Sequence, residues 1–143
     1  MIDDPQLMIN LISTAIAEYQ KAIEARKYLN HQSVYTHCKR ALENIALASF
    51  YLVHDERVSI TEANAWVKEL PIPNGLFSKL IEANDELMEK YFPLLDFTLS
   101  YPTSSRNIYL VQDSLLELLD NLEQKDDRKI FVDNLKQWRT EIS

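Results

Sequence analysis

The most apolar stretch of the chain runs from residue 33 to residue 54 and changes character halfway along. In its first half, apolar side chains recur at the three- and four-residue steps of an amphipathic helix. These are Val34, Cys38, Ala41, Leu42 and Ile45. In its second half, residues 45–53 are apolar on every side except at Ser49, so Leu47 is expected to be buried. A helix that is apolar all round has to be surrounded by other elements. The pattern therefore predicts a central helix.

Helical patterns also occur on both sides of this central helix. Apolar positions, capping residues and prolines predict helices over residues 5–29, 33–54, 59–70, 76–92, 105–125 and 127–142. Ser59 and Glu62 form a capping box at the start of the third helix, and Ser104 or Ser105 is expected to cap the fifth. The links are short, which favours antiparallel neighbours. The predicted fold is all-α, an antiparallel helical bundle of four long helices plus one or two short ones.

Composition supports this fold class. The 143 residues include one glycine, and hairpin turns depend on glycine for their positive φ angles, so a β-rich fold is disfavoured. The chain is 46% hydrophobic and 26% charged, as in an ordinary globular protein, and its length fits one domain. We therefore expect a single helical-bundle domain over residues 1–143.

Cysteine usage and charge predict where the protein works. Cys38 is the one cysteine, so an intramolecular disulfide is excluded and a reducing compartment is favoured. The acidic opening residues differ from a signal peptide, and no apolar run reaches the length of a membrane span. These features predict a cytoplasmic protein without membrane contact. The formal net charge of −7 repels the nucleic-acid backbone, which disfavours nucleic acid as a partner.

Two pairs of acids share one spacing on the predicted fourth and fifth helices, Glu86 with Glu89 and Glu117 with Asp120. This E-x-x-E … E-x-x-D pattern resembles the all-α NTP pyrophosphohydrolases of the MazG-like group, which implies a Mg²⁺ site. Such a site requires inward-facing acids, whereas Glu117 and Asp120 fall opposite the leucine stripe of their helix. The pattern favours a solvent-exposed face. We therefore predict no metal and no cofactor, with the Mg²⁺ enzyme as an alternative.

Three short segments together resemble the HEPN superfamily. They are residues 105–111, which begin Ser-Arg-Asn, residues 40–43, and residues 99–102. The resemblance implies a small all-α bundle, usually dimeric, of a kind that includes toxin ribonucleases and partners of nucleotidyltransferases. Arg106 and Asn107 match the beginning of the family signature R-x(4–6)-H. With Arg40 and Tyr101, they are the predicted ligand- or partner-binding residues.

The histidine of that signature is missing. It would fall at Val111, Gln112 or Asp113. Metal-independent RNA cleavage needs groups that exchange protons near neutral pH, and the guanidinium of Arg106 does not. We therefore predict a non-catalytic HEPN-like domain, with no catalytic residue, that binds a protein partner or a second copy of itself.

Two alternatives from other classes remain open at this point. The first is an enzyme, either a HEPN-type ribonuclease with another base or the pyrophosphohydrolase described above. The second is a small-ligand-binding bundle, in which Tyr91, Phe97 and Tyr101 would line the pocket.

The apolar side of the predicted fifth helix is wider than one core seam needs. Its seam at heptad steps consists of Ile108, Val111, Leu115, Leu118 and Leu122. A second flank consists of Tyr109, Leu110, Leu116 and Leu119. An exposed apolar row of this kind marks an association surface, and a two-fold contact is the commonest way to bury it. We predict a homodimer through this flank, unless residues 94–103 fold over it.

Overall fold

The computed structural model describes residues 2–71, 75–91 and 101–143, with side chains except at 89–91 and 101–102. In these ranges the protein is all-helical and has no strand, which confirms that the fold is all-α. The helices are α1 (Pro5–Lys27), α2 (His31–His54), α3 (Ile60–Glu69), α4 (Ser78–Asn84), α5 (Tyr101–Lys125) and α6 (Lys129–Ile142). A π-helix, Asp85–Tyr91, directly continues α4.

Helix α2 is surrounded, as its apolar sequence predicts. It contacts α1, α3, α4, α5 and the π-helix. Its contact with α1 is antiparallel, because the backbone N–H of Asp4, just before α1, donates to the hydroxyl of Tyr51 near the end of α2 (2.9 Å). The covering by these elements is not complete. The prediction that Leu47 is buried is wrong, since it is only half-buried, and Val53 is 41% exposed.

The core follows the helical periods of the sequence. All five seam residues of α5 are at most 5% exposed, as are the four apolar residues of α6 that recur at helical steps. The α6 residues are Phe131, Leu135, Trp138 and Ile142. Cys38 is fully buried, and this burial raises the pKa of its thiol to about 12. The thiol is thus a small core group and not a nucleophile.

Helix boundaries agree with the local signals in some places and not in others. The N-cap half of the predicted capping box is confirmed, since Ser59 Oγ accepts from the backbone N–H of Glu62, and the Glu62 carboxylate accepts from the Ser59 hydroxyl instead of from its backbone N–H. Helix α1 ends at Lys27, before the expected position, because Leu29 takes a left-handed φ of 58°. Helix α5 begins at Tyr101, so the predicted start at Ser104 or Ser105 is wrong. Pro102 lies in the first turn of this helix. Proline is tolerated there because a backbone N–H in the first turn would have no intrahelical acceptor.

The continuation of α4 as a π-helix was not predicted. A side chain of α2 binds the backbone of this π-helix, since the hydroxyl of Tyr35 donates to the carbonyl oxygen of Leu87 (2.9 Å). Tyr35 is 2% exposed, and burial raises the pKa of its hydroxyl to about 12, so it stays a proton donor at neutral pH. Short π-helical segments occur frequently at functional sites.

The described helices were also compared with the length and hydropathy that a bilayer requires. None of them is both long enough and apolar enough to cross a membrane.

Candidate functional site

Arg106 lies on the exposed side of α5 and faces the helix that precedes it in sequence. Its guanidinium pairs with Glu82 of α4 (2.9 Å) and with Glu86 of the π-helix (3.0 Å). Hydrogen bonds to these two carboxylates, Glu86 first, raise the pKa of Arg106 above its usual range. Two negative charges therefore surround this one positive charge. The pair of acids neutralises the cation that a phosphate group would need.

Asn107 points to the interior. It is fully buried, and neither atom of its carboxamide has a hydrogen-bond partner. The predicted motif residues thus lie on different sides of α5, Arg106 among carboxylates at the surface and Asn107 in the core. They do not form one binding surface.

The first turn of α5 is hydrogen-bonded to the last turn of α1 and the first residue of α2. His31 Nδ1 lies 2.7 Å from Ser104 Oγ, and the guanidinium of Arg26 donates to Ser105 Oγ (3.4 Å). The sequence did not indicate either pair, because the partners are more than 70 positions apart. A serine beside a histidine suggests a nucleophile with its base. Ser104 is fully buried, however, so a substrate has no access to its hydroxyl. We interpret the pair as a link between helices.

The four acids of the predicted metal alternative do not come together in the described part of the chain. Glu86 pairs with Arg106, and Asp120 pairs with Arg139 of α6 (2.7 Å). The side chain of Glu89 lies outside the described residues. Among those described, no three His, Cys, Asp or Glu side chains are grouped as a metal site requires.

Glu117 has a structural role. Its carboxylate accepts hydrogen bonds from the backbone N–H groups of Lys79 and Leu80 and from the hydroxyl of Ser78. Phe77, at the N-cap of α4, makes no capping hydrogen bond of its own. A carboxylate at this position satisfies the free N–H groups of the first turn. Partial burial raises the pKa of Glu117, against the lowering effect of these hydrogen bonds.

The remaining predicted binding residues are dispersed. Arg40 is exposed on α2, and none of the described contacts joins it to Arg106. Tyr101 is the first residue of α5, and its side chain lies outside the described residues, as do Phe97 and the side chain of Tyr91. The predicted aromatic pocket at these three residues is therefore not described.

The predicted association flank of α5 is largely wrong as a surface. Leu110 and Leu119 are 2% and 0% exposed, because α5 contacts α1, α2, α4 and α6 and needs apolar residues toward several of them. Tyr109 is 58% exposed, and Leu116 is half-buried. These two lie seven positions apart and share one face of the helix. We call Tyr109 and Leu116 the α5 strip.

A cleft between α3 and α4 is the site that sequence reasoning missed. Its volume is about 510 Å³. Its lining consists of Val67, Lys68, Ser78, Ile81, Glu82, Asn84 and Asp85. The sequence offered no signal for it, since an asparagine on an amphipathic helix is normally solvent-exposed. Asn84 is 4% exposed instead.

The chain was compared with protein families, curated proteins and solved structures. No family model, no curated protein and no solved structure matches it.

Proposed function

We propose that the protein is a non-catalytic, HEPN-like helical domain, an antiparallel bundle, that acts by self-association through the α5 strip or by binding a protein partner there. The observation that supports this most is the exposure of Tyr109 above the half-buried Leu116. A large aromatic side chain with 58% exposure is the type of residue that anchors protein interfaces. A cytoplasmic location, predicted from cysteine usage, is part of this proposal.

The electrostatics of α5 support the non-catalytic part of the proposal. Arg106 is held by Glu82 and Glu86, and the position where the HEPN signature has histidine carries other residues. The neighbouring acids oppose the approach of an RNA phosphate. We interpret Arg106 as a residue that fastens α5 to α4 and the π-helix.

Self-association is tested by light scattering at micromolar concentration. We expect the wild-type protein to have twice the 16.7 kDa mass of the chain and Tyr109→Glu to have the mass of one chain. A glutamate at position 109 would lose its hydration when the interface forms, and burying its carboxylate in this way costs several kcal/mol. Tyr28→Glu is the matched control, because Tyr28 is 77% exposed in the turn after α1. It should remain dimeric.

A wild-type mass of 16.7 kDa at all concentrations would exclude the homodimer. The protein-partner form of the proposal would then be the one to test. A dimer that Tyr109→Glu leaves intact would instead show that another surface makes the contact.

Activity toward RNA is tested directly. We expect the purified protein to leave single-stranded RNA intact, with or without divalent metal ions, because no histidine follows Arg106 at the signature spacing. The measurement is the length distribution of a labelled RNA after prolonged incubation. Cleavage that is lost in Arg106→Ala would contradict the non-catalytic proposal and favour the ribonuclease alternative.

A further inference from the structure

The N-terminal part of α5 differs in composition from the rest of the helix. Residues 103–107 are Thr-Ser-Ser-Arg-Asn, all polar or charged, whereas the heptad seam that begins at Ile108 is apolar. We call residues 103–107 the α5 start. Ser104 and Asn107 of this segment are nevertheless fully buried. The α5 start thus enters the core without an apolar residue of its own, and hydrophobic burial contributes little to its attachment.

The carboxamide of Asn107 weakens this attachment further. Neither its oxygen nor its nitrogen has a hydrogen-bond partner, although the residue is 0% exposed. Buried polar groups in proteins nearly always have a partner, and one without a partner needs an explanation. Burial has removed the hydration of this carboxamide without replacing it, which disfavours the closed position by about tenfold in the equilibrium constant. Movement of the α5 start away from the core would return water to the carboxamide.

Polar contacts oppose such a movement. The guanidinium of Arg106 binds Glu82 of α4 and Glu86 of the π-helix, and Ser104 Oγ lies 2.7 Å from His31 Nδ1. The side chains of Arg106 and Glu82 are 46% and 43% exposed, so water competes for this ion pair. Ion pairs of this exposure are individually weak. Because Arg106 contacts both α4 and the π-helix, the loss of its charge would remove two contacts at once.

We propose that the α5 start opens from the bundle as a unit while the rest of α5 stays packed, and that Arg106 is the latch that holds it closed. In the closed position Arg106 is occupied by carboxylates and Asn107 is buried. Opening makes both side chains accessible to solvent. Local opening of this kind occurs where a segment has few buried apolar contacts. Tyr109 and Leu116 lie outside the α5 start, so the proposal does not depend on self-association through the α5 strip.

Native-state hydrogen exchange of the full chain, followed by NMR, tests the opening. In an α-helix the N–H groups of residues 107–111 donate to the carbonyl oxygens of residues 103–107, so their exchange reports on the α5 start. The N–H groups of residues 118–122 are the internal reference. We expect protection factors at 107–111 to be at least about tenfold below those at 118–122. They should also depend less on low concentrations of urea, because local opening exposes less surface than global unfolding.

Asn107→Leu distinguishes this opening from the ordinary fraying of a helix end. Leucine is similar in size to asparagine and has no polar group to desolvate, so the closed position gains stability. We expect the protection factors at 107–111 to rise by about tenfold. Asn10→Leu makes the same change at an exposed position of α1. It is the matched control and should leave these protection factors within about twofold of the wild type.

Arg106→Gln tests the latch, because it keeps a polar side chain and removes the charge. We expect the protection factors at 107–111 to fall by at least about threefold. Arg139→Gln is the matched control, since Arg139 also binds two carboxylates of α5, Asp120 and Glu123, but not at the α5 start. It should leave residues 107–111 unchanged.

Any one of three results would overturn the proposal. The first is equal protection of residues 107–111 and 118–122 in the wild type. The second is unchanged or lower protection of residues 107–111 in Asn107→Leu. The third is unchanged protection of these residues in Arg106→Gln.

Discussion

Ile45→Asp should leave the protein without a cooperative thermal unfolding transition at neutral pH. Ile45 is fully buried in α2, the helix that contacts α1, α3, α4 and α5. An unpaired carboxylate in such a position costs several kcal/mol, and the total stability of a domain is only about 5–15 kcal/mol. The measurement is circular dichroism of the helical signal as a function of temperature.

Val53→Asp is the matched control for this substitution. Val53 is on the same helix, eight positions further on, and is 41% exposed. Its carboxylate stays hydrated, so we expect a cooperative transition within a few degrees of the wild type. If Ile45→Asp unfolded at the wild-type temperature, α2 would not be the central helix, and the arrangement of the bundle would be wrong.

The features that the sequence predicts correctly are those with a local signal. The period of α2, the heptad seam of α5 and the N-cap at Ser59 all depend on residues within one or two helical turns of each other. Leu47 marks the limit of this reasoning. An apolar stretch indicates that most of a helix is buried. Which of its residues stay partly exposed depends on how the neighbouring helices pack against it.

The misses concern contacts between residues far apart in sequence. Leu110 and Leu119 are buried because α5 packs against four helices, whereas the sequence suggested one seam and a spare flank. Glu117 caps α4 by accepting from the backbone N–H of Leu80, which lies 37 positions earlier in the sequence. Its spacing to Asp120 resembled a metal motif, but its partners are backbone N–H groups. Asn84 has no local signal at all. Residue types indicate which interactions a side chain can make, whereas the packing of the helices determines which side chains come into contact.

Asp126 shows the same limit and leads to the second large effect. The sequence indicates only a break between α5 and α6 there. In the structure, its carboxylate accepts from the backbone N–H of Ile2 (3.1 Å) and from the guanidinium of Arg128 (2.7 Å). Arg128 also donates to the carbonyl oxygen of Ile2 (2.6 Å). One buried carboxylate therefore joins the chain before α1 to the link between α5 and α6.

These hydrogen bonds, that from the Arg128 side chain first, lower the pKa of Asp126 from 3.8 to about 2, although burial opposes them. A carboxyl group whose pKa is lower in the folded than in the unfolded state stabilises the fold above the unfolded value. That contribution is about 2 kcal/mol above pH 4, and it is lost as the pH falls through the folded value.

Asp126→Asn should therefore lower the free energy of unfolding by about 2 kcal/mol at pH 7, as measured by urea denaturation. The difference from the wild type should shrink between pH 4 and pH 2, because the wild-type carboxyl is then protonated as well. The neighbouring Asp127 is exposed, so Asp127→Asn is the matched control and should stay within about 0.5 kcal/mol of the wild type. A difference between Asp126→Asn and the wild type that stays constant from pH 7 to pH 2 would show that the lost contact is not the ionised one. In that case, the link between Ile2 and the α5–α6 junction would rest on packing rather than on the charge of Asp126.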